Sequence, residues 1–275
     1  MRFKRNIIVL LIFFVFQTVI CAQTADEADS LFYSARDYYQ SGDYDNAIVY
    51  FEKVVPLYEK LYGKNNLCSA YTYLLLGDSY SKIRDYNSAI SYLKKAYDAY
   101  ILSDDYKESA AKALLGIGNA YSDNCEYDTA LEYFQKALSL RKNISGENHE
   151  ETAKCYANIG LCYEFKGEYK AALSYFQKAL KIRQKVFGEN NLKTADSYHD
   201  IAAENYLLGN YQEAIDYFSK AGEIRKEIAG AESFEVAHTL EALVAVFIEV
   251  ELFDEALELN MTVEEILTEL QINPI

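Results

Sequence analysis

The chain has 275 residues, 51% of them hydrophobic, with 2 prolines and 12 glycines, a composition that permits a large core built from long uninterrupted helices. Its 42 acidic residues against 27 basic ones give a formal net charge of -15. That balance repels phosphate backbones and anionic lipid headgroups, so it excludes nucleic acid and membrane surfaces and favours a neutral or basic protein or peptide partner.

The first stretch reads as targeting. Met1 to Asn6 carries Arg2, Lys4 and Arg5, Ile7 to Phe16 is unbroken apolar, and Ala22 is a small residue suited to signal-peptidase cleavage. We expect residues 1–22 to be a signal peptide, with retention as an N-terminal anchor the alternative, and an exported protein, periplasmic or extracellular. Beyond this segment no membrane insertion is expected, because the apolar run falls short of the ~20 residues of a span. Cys21 follows Ile20, not the small residue that lipidation needs. Cleavage would take the net charge from -15 to -18.

After it the chain repeats. Tyr44, Tyr86, Tyr127, Tyr169, Tyr211 and Phe253 each stand three residues before an alanine, at separations of 42, 41, 42, 42 and 42 residues. Residues 23–275 therefore read as one repeat domain, with units at about 28–61, 70–103, 111–144, 153–186, 195–228 and 237–270. Each unit reads as two helices. Tyr156, Ile159, Gly160 and Tyr163 lie at helical spacing on the first helix of the fourth unit, and Lys166-Gly167-Glu168 breaks it. Ala172, Phe176, Ala179 and Leu180 lie on the second, which Gly188 ends as a left-handed cap. Gly160 and Ala172 lack bulk where two helices approach, and Tyr163 and Phe176 fill the space beside them.

At these residues the sequence resembles the tetratricopeptide repeat family. The second unit supplies Tyr73, Leu76, Gly77, Tyr80, Tyr86, Ala89, Leu93 and Ala96, and the third Leu114, Ile117, Gly118, Tyr121, Tyr127, Ala130, Phe134 and Ala137. The long period and the connector Gly146-Glu147-Asn148-His149-Glu150-Glu151-Thr152-Ala153, repeated from Gly188 to Ala195, look like the kinesin-light-chain subclass. The resemblance implies an all-α, right-handed α-solenoid of about six tetratricopeptide-type helical hairpins. Departures collect in the outer units, as capping repeats require, and at Asn205, where tyrosine is expected.

Candidate chemistry is thin. Cys155 and Cys162 lie ~10 Å apart along one helix, too far for a disulfide, and the thiols read as small buried residues. His149, His199 and His238 form no catalytic or metal spacing, and Gly116-Ile117-Gly118 lies within a helix and lacks the strand a phosphate loop needs. No catalytic residue, metal site or cofactor is expected. Tyr50, Tyr92, Tyr133, Tyr175 and Tyr217 form a ladder that reads as cover for the seam between second helices of successive units. Lys53, Lys95, Lys136, Lys178 and Lys220 form another, read as solvated charges. Function is expected on the concave wall lined by first helices, at Arg36, Tyr71, Lys112, Asn119, Lys154, Asn158 and His199. Lys112, Asn119, Lys154 and Asn158 come from adjacent units and could grip a partner's carboxylate or backbone. The expected role is a non-catalytic protein-interaction scaffold. The alternatives are a trans-acting regulatory module of a bacterial envelope signalling system and a surface glycan-binding protein, the latter without the tryptophan platforms it would use.

Overall fold

Polar side chains cap several of the helix starts, and Gly63, Gly188 and Gly230 close three of the helix ends. The Asn46 N–H donates to Asp43 Oδ1 at 3.2 Å and the Ser88 N–H to Asp85 Oδ1 at 3.1 Å, capping two helix starts. The Glu151 N–H donates to His149 Nδ1 at 3.2 Å, and the Lys193 N–H to Asn191 Oδ1 at 2.9 Å. His149 is thus a capping residue. The computed structural model describes residues 23–272, and the expected signal peptide lies outside them.

The resulting helices are α1 (23–41), α2 (Tyr44–Tyr62), α3 (Leu67–Lys82), α4 (Tyr86–Tyr100), α5 (Lys107–Asp123), α6 (Tyr127–Ser145), α7 (Glu150–Phe165), α8 (Tyr169–Phe187), α9 (Leu192–Leu207), α10 (Tyr211–Ala229), α11 (Phe234–Glu249) and α12 (Phe253–Ile272). No strand occurs among the described residues. The fold is all-α, a succession of tetratricopeptide-type hairpins. By its contacts the chain divides into an N-terminal unit ending at Ala137 and a C-terminal unit beginning at Leu138.

Within each unit the small residues of the repeat set the helix spacing. A Cβ added at Gly118 would lie 2.5 Å from the Phe134 ring, and one at Gly160 would lie 2.9 Å from that of Phe176. Both rings are fully buried. Connectors are closed by a second repeated bond. The Thr152 hydroxyl donates to the Gly146 carbonyl at 2.9 Å and that of Thr194 to Gly188 at 2.8 Å. Gly188 has φ 84° and ψ -179°, so the backbone leaves the helix extended and not in the left-handed cap expected from sequence.

The tyrosine ladder differs from the expected seam. Each ring meets a first-helix tyrosine of its own hairpin: Tyr92 stacks on Tyr80 at 5.8 Å, Tyr133 on Tyr121 at 5.5 Å and Tyr175 on Tyr163 at 5.4 Å, and Tyr50 lies tilted against Tyr38 at 5.3 Å. In the fifth hairpin Asn205 offers no ring, and Tyr217 turns to Tyr198 instead, at 5.9 Å. The ladder lysines are not simply solvated. Lys53, Lys95, Lys136 and Lys178, one turn on, hold their ammonium groups 4.9, 4.6, 4.7 and 4.3 Å from the ladder ring centres. Cysteines also divide: Cys155 and Cys162 are buried, whereas Cys68 and Cys125 are exposed and not buried as expected.

A third ladder was not legible in the sequence motif. One repeat position near the end of each second helix carries Tyr58 and Tyr100 in the N-terminal unit and Arg141, Arg183 and Arg225 in the C-terminal unit, all buried. Arg183 donates to Ser197 Oγ at 2.8 Å, and Arg225 to Thr239 Oγ1 and to Asp196 Oδ1, both at 2.7 Å. The bonds to Ser197 and Thr239 tie a second helix to the first helix of the following hairpin, and the bond to Asp196 ties α10 to the first helix of its own hairpin.

The turn inside each hairpin requires positive φ at one residue. Glycine supplies it at Gly167 (φ 75°) and Gly209 (φ 78°), but Arg84 (φ 64°) and Cys125 (φ 61°) are held there without that freedom. Both side chains are exposed. Arg84→Gly and Cys125→Gly should each raise the unfolding free energy in urea by ~0.5–1 kcal/mol, and Gly167→Ala should lower it comparably. Destabilisation by both glycine substitutions would contradict the strain assigned to this turn.

Candidate functional site

In the N-terminal unit the first helices form one face. α3 touches α5, the Phe32 ring of α1 lies 5.9 Å from that of Tyr71 on α3, and the Tyr39 hydroxyl donates to the Asp78 carboxylate across the same two helices. Burial first, and then the bond to Asp78, holds the Tyr39 phenol far above its ordinary titration range, so it remains a donor.

A pocket of about 160 Å³ opens on this face. Its apolar lining comes from Leu74, Leu75, Leu93 and Leu115, with Gly116 among them, and its polar lining from Tyr39, Asp78, Lys112 and Asn119. Gly116 explains the Gly116-Ile117-Gly118 run. Gly118 admits the Phe134 ring, whereas a Cβ at Gly116 would press on Leu93 at 3.2 Å and narrow the pocket. Lys112 is exposed and forms no ion pair or hydrogen bond among the described residues. Two of the residues expected to bind, Lys112 and Asn119, therefore meet at one cavity. Two others lie on the same set of first helices: Arg36 stands 5.0 Å over the Tyr33 ring, and Tyr71 is 44% exposed.

In the C-terminal unit Lys154 and Asn158 lie on α7. The Lys154 ammonium pairs with Glu151 at 2.6 Å, an exposed one-turn ion pair of the weak kind that a partner's carboxylate can displace. His199 on α9 stacks on His238 at 4.8 Å and meets the Phe218 edge at 5.0 Å. Burial first, then the Arg225 and His238 charges, push its pKa down to about 4, so the ring is neutral near pH 7 and acts in packing.

Sequence reasoning missed the carboxylates beside it. Glu204 on α9 is 0% exposed, and neither of its oxygens meets an N–H or hydroxyl donor. The Glu164 carboxyl of α7 bears on it electrostatically, and Asp200 lies one turn earlier on α9. Burial, reinforced by the Glu164 charge, pushes the Glu204 carboxyl up to about 8. Burial also raises Asp200 to about 7, against the opposing charges of Arg183 and Arg225. The signal was in the register. At this position four other hairpins place Ser79, Ala120, Cys162 and Val246, all buried and none a carboxylate, while the first has the exposed Asp37.

The Glu204 carboxyl holds its proton more tightly folded than unfolded. Its contribution favours the fold below about pH 4.5 and is lost as pH rises towards about 8. Glu204→Gln should therefore raise Tm over the parent chain by several degrees at pH 8.5 and change it little at pH 4, measured by calorimetry. Equal shifts at both pH values would refute the burial argument.

The comparisons with known proteins agree with this geometry. A family model described as tetratricopeptide repeat matches residues 26–101, 109–185, 166–227 and 194–269. BtubC (BKLC) from P. vanneervenii superposes with a TM-score of 0.70 at 16% identity, over 89% of this chain and 92% of that one. Aspartyl phosphate phosphatase F from Bacillus subtilis gives 0.68 at 18% identity, over 92% and 73% of the two chains. The apo form of RapI gives 0.67 at 17% identity, over 90% and 100%. No curated protein matches the sequence. At these identities the likeness to solved structures is one of fold. With its repeats matched along most of its length, the chain belongs to the tetratricopeptide repeat family.

Proposed function

We propose that this protein is a non-catalytic scaffold that holds an extended segment of a partner protein against its first helices. The observation that carries the reading is the pocket beside Gly116. Its volume is that of about five waters, which suits one aliphatic side chain entering between Leu93 and Leu115. At its mouth Lys112 and Asn119 offer donors to the segment's backbone carbonyls, and the Asp78 carboxylate is already bonded to Tyr39.

The absence of catalysis is part of the proposal. His149 is spent on capping, and His199 and His238 on each other's rings, which leaves no imidazole placed as a general base. The basic-then-apolar run at residues 1–22 supports export, and the net charge of -15 supports a neutral or basic partner. A glycan-binding role has less support, since the ladder tyrosines spend their ring faces on one another and on lysines. If the captured partner is a membrane kinase, the same face serves a regulator acting in trans.

Affinity capture from native envelope extracts tests this. Lys112→Ala/Asn119→Ala and Gly116→Leu should each reduce partner recovery about tenfold, while Lys95→Ala on α4 leaves it unchanged, with helical circular dichroism intact in all three. Equal recovery by every variant would sink the groove assignment.

A further inference from the structure

One helical glycine of the C-terminal unit has no packing reason to be there. A Cβ added at Gly77, Gly118 or Gly160 would stand 2.7, 2.5 or 2.9 Å from a neighbouring side chain, so those positions must stay small. One added at Gly222, in the middle of α10, would meet only the Thr239 methyl group at 3.6 Å, an ordinary contact. Glycine inside a helix is destabilising relative to alanine, and here close packing does not demand it. The register sharpens the point. At the position of Gly222 the four preceding hairpins place Val55, Tyr97, Leu138 and Leu180, of which Val55 and Leu180 are buried.

Where those hairpins put a large side chain, this one has a cavity of about 370 Å³ between α10, α11 and α12. Its apolar lining comes from Leu240 and Leu243 of α11 and from Leu259 and Ile266 of α12. The cavity is more than twice the 160 Å³ of the pocket beside Gly116, which suits a single side chain. It falls within the roughly 300–1,000 Å³ of small-molecule sites, which are likewise mostly apolar with a few polar groups. Those polar groups stand along one edge of α10: the half-buried Ser219, then Glu223 and Lys226 on the next two turns. The carboxylate and the ammonium are one turn apart and opposite in sign, so together they offer a ligand a donor and an acceptor but no net charge.

We propose that the cavity beside Gly222 binds a small neutral amphiphile, an aliphatic or fused-ring body carrying one hydroxyl or amide head. The inference does not rest on the partner-binding role above. The leucines and Ile266 take the body out of water, and the head hydrogen-bonds at the α10 edge, where Ser219 and Lys226 donate and Glu223 accepts. A carboxylate would gain Lys226 but meet Glu223 and a chain of net charge -15, and a cation would gain Glu223 but meet Lys226. A neutral head avoids both conflicts. No covalent bond changes. Gly222 thereby gains a reason: the leucine that stands at this position in α6 and α8 would occupy the space meant for the ligand.

The test titrates the whole chain with N-phenyl-1-naphthylamine, an uncharged probe whose fluorescence rises in apolar surroundings. The parent chain should bind one probe saturably with a Kd of ~10 μM. Gly222→Leu should weaken binding at least tenfold while raising Tm by a few degrees, so that the loss is not a loss of fold. Leu257→Ser, which removes an apolar side chain 61% exposed on α12, should leave binding unchanged and so separates the cavity from exposed apolar surface. Among competitors, 1-decanol should displace the probe at about a tenth of the concentration that decanoate needs. Equal probe binding by Gly222→Leu and the parent chain would reduce the cavity to a packing defect and overturn the proposal, as would no saturable binding to the parent chain. Displacement by decanoate as readily as by decanol would overturn the neutral head. If Gly222→Leu cuts partner recovery from envelope extracts while decanol fails to displace the probe, the cavity takes side chains of the partner instead, and the proposal falls while the partner-binding role stands.

Discussion

A missing methyl group sets the geometry of this protein. At Gly118 and Gly160 the backbone of a first helix rests on a phenylalanine ring of its second helix, so closely that a Cβ would stand 2.5 and 2.9 Å from it. Overpacking of that kind forces off-rotamer rings or backbone shifts costing ~1–3 kcal/mol, which makes the small residue as necessary as the large one. The close approach fixes the hairpin, and the hairpin fixes which residues remain outside it. Side chains of first helices that do not meet their own second helix are left free to form a face.

The polar ladders build on that frame and treat its two ends differently. In the N-terminal unit the position late in each second helix is tyrosine, and Tyr58 donates to Asp29 at 2.7 Å. In the C-terminal unit it is arginine, whose fork reaches a hydroxyl and a carboxylate at once. At Arg183 and Arg225 the serine or threonine fourteen residues on accepts from one arm of the fork, whereas the residue fourteen on from Arg141 is Cys155. The first-helix faces differ in the same sense: leucines with an unpaired lysine in one unit, carboxylates and stacked histidines in the other.

Most of the fold was legible because each signal was local and recurred. Tyr169, Ala172 and Phe176 declare a helix and its buried stripe within eight residues, and the 42-residue period carries that reading to every other unit. Local spacing does not say which neighbour a side chain meets across space. The tyrosine ladder has a strict period, yet periodicity alone could not choose between a seam along second helices and the stack inside each hairpin that the rings adopt. Arg141, Arg183 and Arg225 recur just as strictly, but long polar residues near a helix end read as surface until their burial is known. Of the candidate site, Lys112 and Asn119 were found from their place on the first helix. The leucine pocket between them needed three helices brought together, and Glu204 needed the register of a departure that looked like an ordinary surface acid.

What unites fold and function is the separation of labour between the two helices of each hairpin: second helices carry ring-paired tyrosines under lysines, and first helices carry the polar and apolar groups of the candidate face. Hydroxyl-radical footprinting of the purified complex with its partner tests this most directly, because Tyr71 on α3 and Tyr62 on α2 are 44% and 43% exposed and start with comparable reactivity. The account predicts that Tyr71 is protected in the complex while Tyr62 stays as reactive as before. Protection of Tyr62 with Tyr71 unchanged would contradict it.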